Sequence, residues 1–361
     1  MNQTNSTFSS FKRPWWSRKK LLEWQREAPL STPLQKRVEM WRGGYRPESY
    51  ALYDLSPAHA GEYLPDKVRF QSFSSSEAAS TFFINGSFAH DILDDKLLFT
   101  RLLAGKLPIP RILALIERGE TFAHGQDGGA QDILGLAEAR GSVILKPSDG
   151  SRGRGIYQLD WKPDFSLNGR TVTPAEVRAL TQKLNNYLVT ETVYQAAYAK
   201  TICPATTNTV RVMTFIDPDT NEPFVARAVH RFGTYETRPT DNWSRGGLCA
   251  PVDLSTGTLG LGVKHANRTG SKLVWESHHP DTGEAIEGVR IPHWQTICGA
   301  LLEAVRSTPF LTYVGWDVAV TEDGFFVIEG NKNTDIDLLQ VHGGLLKDPR
   351  MRRFYEYHRI V

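Results

Sequence analysis

The stretch Tyr313–Gln340, YVGWDVAVTEDGFFVIEGNKNTDIDLLQ, decides the reading of this chain. Two apolar, strand-like runs carry Asp317, Glu329 and Asn331, where a buried sheet ordinarily carries no such oxygens. Glu329 and Asn331 stand two apart, so on a strand they share a face. Between the runs, Glu322, Asp323 and Gly324 predict a three-residue hairpin loop with Gly324 in the left-handed position. That register sets Thr321 opposite Phe325 and Asp317 opposite Glu329. Adjacent carboxylates cost free energy unless a cation lies between them. All-oxygen ligation suits Mg²⁺ or Mn²⁺ rather than zinc. A solvated acidic hairpin would explain the charges, but not their confinement to one face among Val318, Val320, Phe326 and Ile328. The stretch reads as a Mg²⁺-nucleotide site.

The second signal is Val143–Ile156, VILKPSDGSRGRGI. An apolar strand delivers Lys146, and a glycine-rich loop follows. Glycine lets backbone N–H groups approach phosphate oxygens, and Lys146 adds a point charge. No Gly-Lys-Ser/Thr opens a helix, so this is not a P-loop. Alone, such a loop is a common hairpin turn; upstream of an oxygen-rich hairpin it gains weight, because Mg²⁺ is often held by a few protein oxygens plus phosphates.

Three more segments carry polar groups on strands or turns. Tyr187–Val193 is a strand that brings Glu191. Thr207–Val212 brings Arg211, suited to bidentate contact with phosphate or carboxylate. Asp241–Gly247 is a polar loop ending in two glycines that positions a substrate or turns the chain. His230, His265, His278 and His279 are candidate bases, each more often structural or exposed. No Ser-His-Asp or Cys-His arrangement stands out.

The 361 residues allow a sizeable core and more than one subdomain. With a net charge of +2, no global field argues for a nucleic-acid or membrane partner, and no nucleic-acid partner is expected. Cys203, Cys249 and Cys298 lie far apart, without metal-ligand spacing, which fits reduced thiols. No apolar run is long enough for a membrane helix and no signal-peptide core opens the chain, so a cytoplasmic location is expected.

Residues 1–85 are expected to form a disordered tip followed by a helical N-terminal region. Within it, residues 11–42 mix Trp15, Trp16, Trp24 and Trp41 with many Lys and Arg. That pattern suits a layer packed on the main domain, or a basic helix associated peripherally with a membrane surface. Residues 86–361 form the principal domain, with one subdomain near 130–200 and another near 201–346. The spacing predicts one helix over Asp91–Gly105, further helices over Ile133–Ala139, Glu176–Leu184, Trp294–Val305 and Met351–His358, and a hairpin over Val252–Leu259. Strands arise mostly as hairpins, which points to an α+β fold rather than one doubly wound sheet.

In order along the chain, Asp95-Lys96, ILKPSDGSRGRGI, TETV, TNTVRV and GWDVAVTEDGFFVIEGN resemble the ATP-grasp superfamily. The DN…GG loop, VDLSTGTL, HPDTGEAIEGVRIPHW and DLLQVHGGLLKDPR are similar to the sugar-transfer-associated branch, linked to cell-surface polysaccharide or related pathways. The resemblance implies two α+β subdomains that clasp ATP. It implies that Lys96 and Lys146 contact phosphates or the adenine edge. Ser151, Arg152, Gly153 and Gly155 would close over the phosphates, and Glu191, Thr192 and Val193 would form the adenine hinge. Arg211 would stabilise the transferred phosphoryl or acyl phosphate, with Lys146 alongside. Asp317, Glu329 and Asn331 would bind Mg²⁺ (or Mn²⁺). Lys332-Asn333-Thr334 departs from the small or proline-rich turn of many relatives, so Lys332 is a candidate contact for an anionic substrate; as polar loop residues, Asn242, Arg245, Lys264 and Lys332 point to an anionic or sugar-like partner.

The activity implied is an ATP-dependent carboxylate–amine (or carboxylate–thiol) ligase working through an acyl phosphate on small-molecule acids and amines. A phosphotransferase on a sugar-like hydroxyl and a non-catalytic nucleotide-binding module are the alternatives. Oligomeric state is not encoded in any of these segments.

Overall fold

The computed structural model describes residues 44–45, 49, 52–53, 60–66, 80–125, 132–150, 155–265, 273–332 and 334–361. The expected tip, the Trp- and Arg-rich segment of residues 11–42, and Ser151, Arg152 and Gly153 of the glycine-rich loop lie outside them.

Two antiparallel sheets follow one another along the chain. The first contains β1 (Ile112–Glu117), β2 (Glu120–Ala123), β3 (Ser142–Pro147), β4 (Tyr157–Lys162), β5 (Asp164–Leu167), β6 (Arg170–Thr171) and β7 (Tyr187–Glu191), in the order β2-β1-β7-β3-β4-β5-β6. The second contains β8 (Val210–Ile216), β9 (Pro223–Phe232), β10 (Leu248–Pro251), β11 (Gly262–Lys264), β12 (Val274–Glu276), β13 (Tyr313–Thr321) and β14 (Gly324–Asn331), in the order β12-β11-β10-β9-β8-β13-β14. Tight turns set the antiparallel pairing of β1–β2, β4–β5 and β13–β14, and the α+β expectation holds. The first sheet starts at Ile112, upstream of residue 130.

The single helix expected over Asp91–Gly105 is two: α1 (Ser80–Asp94) and α2 (Lys96–Leu103). Asp95 is extended and accepts from Leu97 N and Leu98 N, so the residue that interrupts one helix caps the next. Apolar periodicity does not register such a break, because the buried stripe continues across it.

In the first sheet, α3 (Ile133–Arg140) and α4 (Pro174–Thr181) cover one face. Val143, Leu145, Leu159, Val189, Ile133, Leu134 and Val177 form its core. The α4 start is set by Thr173 and Glu176 in reciprocal capping, with Pro174 at the first turn. The short helix α5 (Ala197–Ile202) lies between the sheets in the chain.

In the second sheet, α6 (Trp294–Ser307) presents Trp294, Ile297, Leu301, Ala304 and Val305 at helical spacing to one face. That face also packs Phe99 and Leu103 of α2. The opposite face packs partly under α7 (Ile336–Gln340) and α8 (Pro349–Tyr357), and Leu52, Tyr53 and Leu64 are buried in the same core. Gln340 donates to Leu64 O (3.1 Å) and accepts from Leu64 N (3.0 Å), standing in for a strand partner. Val252 and Leu259 pair only as one isolated bridge, not as a longer hairpin. Asp253 organises the turn between them, accepting from Ser255 and Thr256.

The β13–β14 register corrects the sequence reading in an instructive way. The turn holds two residues, Glu322 and Asp323, so Thr321 pairs with Gly324 and Val320 with Phe325. Gly324 is in the strand and outside the left-handed region. A bulge at Ile328 then shifts the register, and Asp317 pairs with Glu329 after all. The extra residue sits in the strand instead of the turn. Without it, Glu329 would point to the apolar face.

Candidate active site

On β13 the side chains of Trp316, Val318 and Val320 enter the core beneath α6, so Asp317 points to the other face. Its pairing partners across the sheet are Glu329 on β14 and Arg211 on β8. Asn331 shares that face, and its Nδ2 donates to Gly315 O at 3.2 Å and to Glu329 Oε1 at 3.4 Å. The three predicted ligands are therefore brought together.

Asp317 is 3% exposed, and its charge is matched by arginines. Arg211 grips it with two nitrogens: Nε bonds Oδ1, and one terminal nitrogen lies 3.0 Å from Oδ2. The other terminal nitrogen of Arg211 donates to Thr334 Oγ1 at 3.1 Å. Arg231, on β9, lies 3.0 Å from Asp317 Oδ2 and 3.4 Å from Asp241 Oδ2. Burial works against ionisation of Asp317, but the Arg211 and Arg231 guanidiniums outweigh it and hold the carboxyl well below the usual range. For Glu329, burial and then the Asp317 charge push the carboxyl up, against the pull of Lys96 and Arg211. A carboxylate so disfavoured gains most from a cation.

Lys146 comes from the other sheet. Val143 and Leu145 on β3 face the helices, so alternation turns Lys146 to the opposite side. Burial, then the nearby Lys96 charge, lower its ammonium to about 8, while Glu329 acts in the other direction. Lys146 Nζ has no hydrogen bond or ion pair among the described residues, and the group is 8% exposed. Lys96 opens α2: its N donates to Ser148 O at 3.0 Å and its Nζ to Gly150 O at 3.1 Å. Gly155, at φ 72°, closes the loop beyond its undescribed part, with Tyr187 Oη 2.6 Å from where a Cβ would stand.

Glu191 ends β7, where its Oε1 accepts from Arg111 N at 2.8 Å. Thr192 Oγ1 donates to Ser142 Oγ at 2.8 Å, and Val193 is half-buried in the connection between the sheets. The strand expected to reach Val193 stops at Glu191.

Of the substrate candidates, Asn242 Oδ1 accepts from Ser244 Oγ at 2.8 Å, and Arg245 is half-buried on the same loop. Lys264 pairs with Glu276 at 3.7 Å. Lys332 is paired with Asp94 at the end of α1, so its charge is already met by the chain. His230 bonds the Tyr198 hydroxyl at 2.8 Å, and burial pushes its ring down to about 3. His279 bonds Gly233 O at 2.8 Å, and His265 packs edge-on to Trp243.

Sequence reasoning missed Arg231, Thr209, Thr334 and the structural part of Asp241. The one available signal was the alternation Arg227, Val229, Arg231 on β9, which sets these residues on the same face as Arg211. A basic residue at such a position reads as solvent-exposed until the neighbouring carboxylates are placed.

The donor set fits a hard divalent cation. Glu329 and Asp317 supply two carboxylates and Asn331 an amide oxygen, and among the described residues no third acidic, histidine or cysteine side chain joins them. That is the sparse oxygen set Mg²⁺ uses when phosphates complete its shell.

A search of the curated proteins finds no match. Among solved structures, the chain is similar to the ATP-grasp ligase PsnB complexed with a phosphomimetic variant of its minimal precursor, Mg and ADP: 14% identity, 75% of this chain and 62% of that one, TM-score 0.39. It is similar to the ADP complex of purK, an N5-carboxyaminoimidazole ribonucleotide synthetase: 11% identity, 69% of this chain and 47% of that one, TM-score 0.39. It is similar to D-alanine–D-alanine ligase from Bacillus anthracis: 11% identity, 76% of this chain and 70% of that one, TM-score 0.40. The chain thus spans between about half and two thirds of the first two, and likenesses of this size assign neither substrate nor residue role. The family comparison is decisive: residues 78–354 match the model of the family described as sugar-transfer associated ATP-grasp. The chain, with its two antiparallel sheets and helical flanks, belongs to the sugar-transfer associated ATP-grasp family.

Proposed function

We propose that the chain is an ATP-dependent carboxylate–amine ligase acting through an acyl phosphate, in cell-surface polysaccharide or related biosynthesis. One observation carries this reading: Glu329 of the second sheet lies close enough to Lys146 of the first for its charge to act on the ammonium, and Lys96, bonded to the Gly150 end of the same loop, acts in turn on Glu329. An anion-binding group and an oxygen-ligand cluster thus face one another, as a metal–triphosphate requires. Mg²⁺ or Mn²⁺ would be held by Glu329, Asn331 and Asp317, and supplies charge neutralisation between phosphates.

The chain's own groups bind and orient. Lys146 and Lys96 draw phosphate oxygens to the end of β3. Glu191, Thr192 and Val193 form the connection against which an adenine ring would lie. Arg211 stands beside the cluster, anchored through Asp317 and Thr334. The acid's carboxylate oxygen would attack the terminal phosphorus, and ADP would leave. The amine would then attack the acyl carbon, expelling inorganic phosphate and losing one proton. Positioning and charge account for catalysis of this kind, without a covalent enzyme intermediate.

The test is phosphate release from Mg²⁺-ATP with pooled carboxylates, with and without pooled amines, together with hydroxylamine trapping. Release that requires the acid and yields a hydroxamate supports the ligase. Release with hydroxyl compounds and no hydroxamate overturns it in favour of a kinase.

A further inference from the structure

Arg231 joins two carboxylates from different elements. One terminal nitrogen lies 3.0 Å from Asp317 Oδ2 on β13, and Nε lies 3.4 Å from Asp241 Oδ2 at the start of the Asp241–Gly247 loop. Thr209 closes the network: its Oγ1 donates to Asp241 Oδ2 at 2.6 Å, its N donates to the same oxygen at 2.9 Å, and its Oγ1 accepts from Arg231 Nε at 3.1 Å. Asp241, Thr209 and Asp317 are all buried.

An ionised carboxylate offers about four lone-pair sites. On Asp317, Arg211 takes one on each oxygen, and Arg231 takes a second on Oδ2. Two arginine contacts thus fall on Oδ2 and one on Oδ1, and the Glu329 carboxyl meets Asp317 beside them. Arg231 thereby loads Oδ2 and leaves Oδ1, on the Glu329 side, as the less heavily bonded oxygen for a cation, and its Nε holds the loop. The loop's own geometry is tight: Gly247 has Phe232 O 2.7 Å from where a Cβ would be, and Gly247 N donates to Asn242 O at 3.2 Å.

We propose that Arg231 is a positioning residue that presents Asp317 Oδ1 to the cation and couples cation binding to the seating of the Asp241–Gly247 loop. The inference rests on the metal–nucleotide reading of the site. Coupling by a shared guanidinium is reciprocal: whatever stiffens Asp317 also stiffens Asp241.

The experiment uses Mn²⁺ as probe, with a non-hydrolysable ATP analogue. Free Mn²⁺ is titrated by electron paramagnetic resonance, and hydrogen exchange is followed across residues 240–248. In the wild type, Mn²⁺ binds and exchange across the loop slows. Arg231→Lys keeps the charge but loses the fork, and should weaken Mn²⁺ by about tenfold or more and abolish the slowing. Asp241→Asn, nearly isosteric, should move both readouts the same way and serves where Arg231→Lys loses the fold. Wild-type binding matched within twofold by both variants, with loop protection intact, overturns the positioning role. Absence of Mn²⁺ binding by the wild type in the presence of the analogue overturns the metal–nucleotide reading itself, and the coupling with it.

Discussion

The two sheets handle buried positive charge in opposite ways. On the first, Lys146 is buried with no ion pair among the described residues, and its ammonium is depressed to about 8 by burial and by Lys96. On the second, Arg211 is buried and Arg231 largely so, but Asp317 pairs with both and Asp241 with Arg231. An unmatched buried cation is unfavourable and gains from an arriving anion. A matched cluster that also contains the strained Glu329 carboxyl gains from an arriving cation. The site is built from complementary deficits, one on each sheet, and the proposed metal–triphosphate would fill both.

The comparison breaks most readily at Glu329. Glu329→Gln removes the ionisable group without changing size. Turnover of ATP is expected to fall on the order of a thousandfold or more, with thermal stability retained. Normal turnover in that variant would refute the metal assignment.

Lys146→Met sharpens the other half. Loss of one charge-assisted contact should weaken nucleotide binding by roughly 10- to 100-fold. Wild-type binding should weaken as pH rises through about 8, where the ammonium deprotonates, and Lys146→Met should show no such step. The sign for stability is the reverse. Because folding lowers the Lys146 pKa from 10.5 to about 8, the unfolded chain binds more protons between those values, so this group's destabilisation is complete below about pH 8 and disappears above pH 10.5. The methionine variant should therefore be more stable at pH 7, by about 3 kcal/mol, as read by denaturant titration. A variant less stable than wild type would show that the lysine is not an unmatched cation.

Gly247→Ala probes the matched side. The new Cβ meets Phe232 O at 2.7 Å, a backbone atom that cannot swing away. A loss of about 1–3 kcal/mol is expected, together with weaker Mn²⁺ binding in the presence of nucleotide. A loss of stability without any change in Mn²⁺ binding would separate the loop from the cluster. The smallest effect belongs to Lys332→Ala. Its pairing with Asp94 is partly solvated, so the change should cost under about 1 kcal/mol and leave the Michaelis constants for anionic substrates within twofold. A large change there would return Lys332 to the acceptor site.

Much of this was legible in particular residues. Alternation located β3, β8, β9, β13 and β14, and the carboxylates placed against that alternation marked the site. The break at Asp95 was hidden because capping leaves the apolar stripe uninterrupted. The bulge at Ile328 was hidden because a turn of three residues and a turn of two plus one bulged residue give Asp317 the same partner. The strands β4 to β6 are short and weakly patterned, so they emerged only once β3 supplied an edge to pair with.

The sequence by itself determined the two sheets' main strands, the face shared by Asp317, Glu329 and Asn331, and the family motifs, because these depend on spacings of two to four residues. Only the tertiary structure decided the charge balance. Arg211 and Asp317 are 106 positions apart, and Asp95 and Ser148 are 53 apart. Whether a charged side chain is saturated or unmatched depends on what packs within a few ångströms of it, and no local pattern records that.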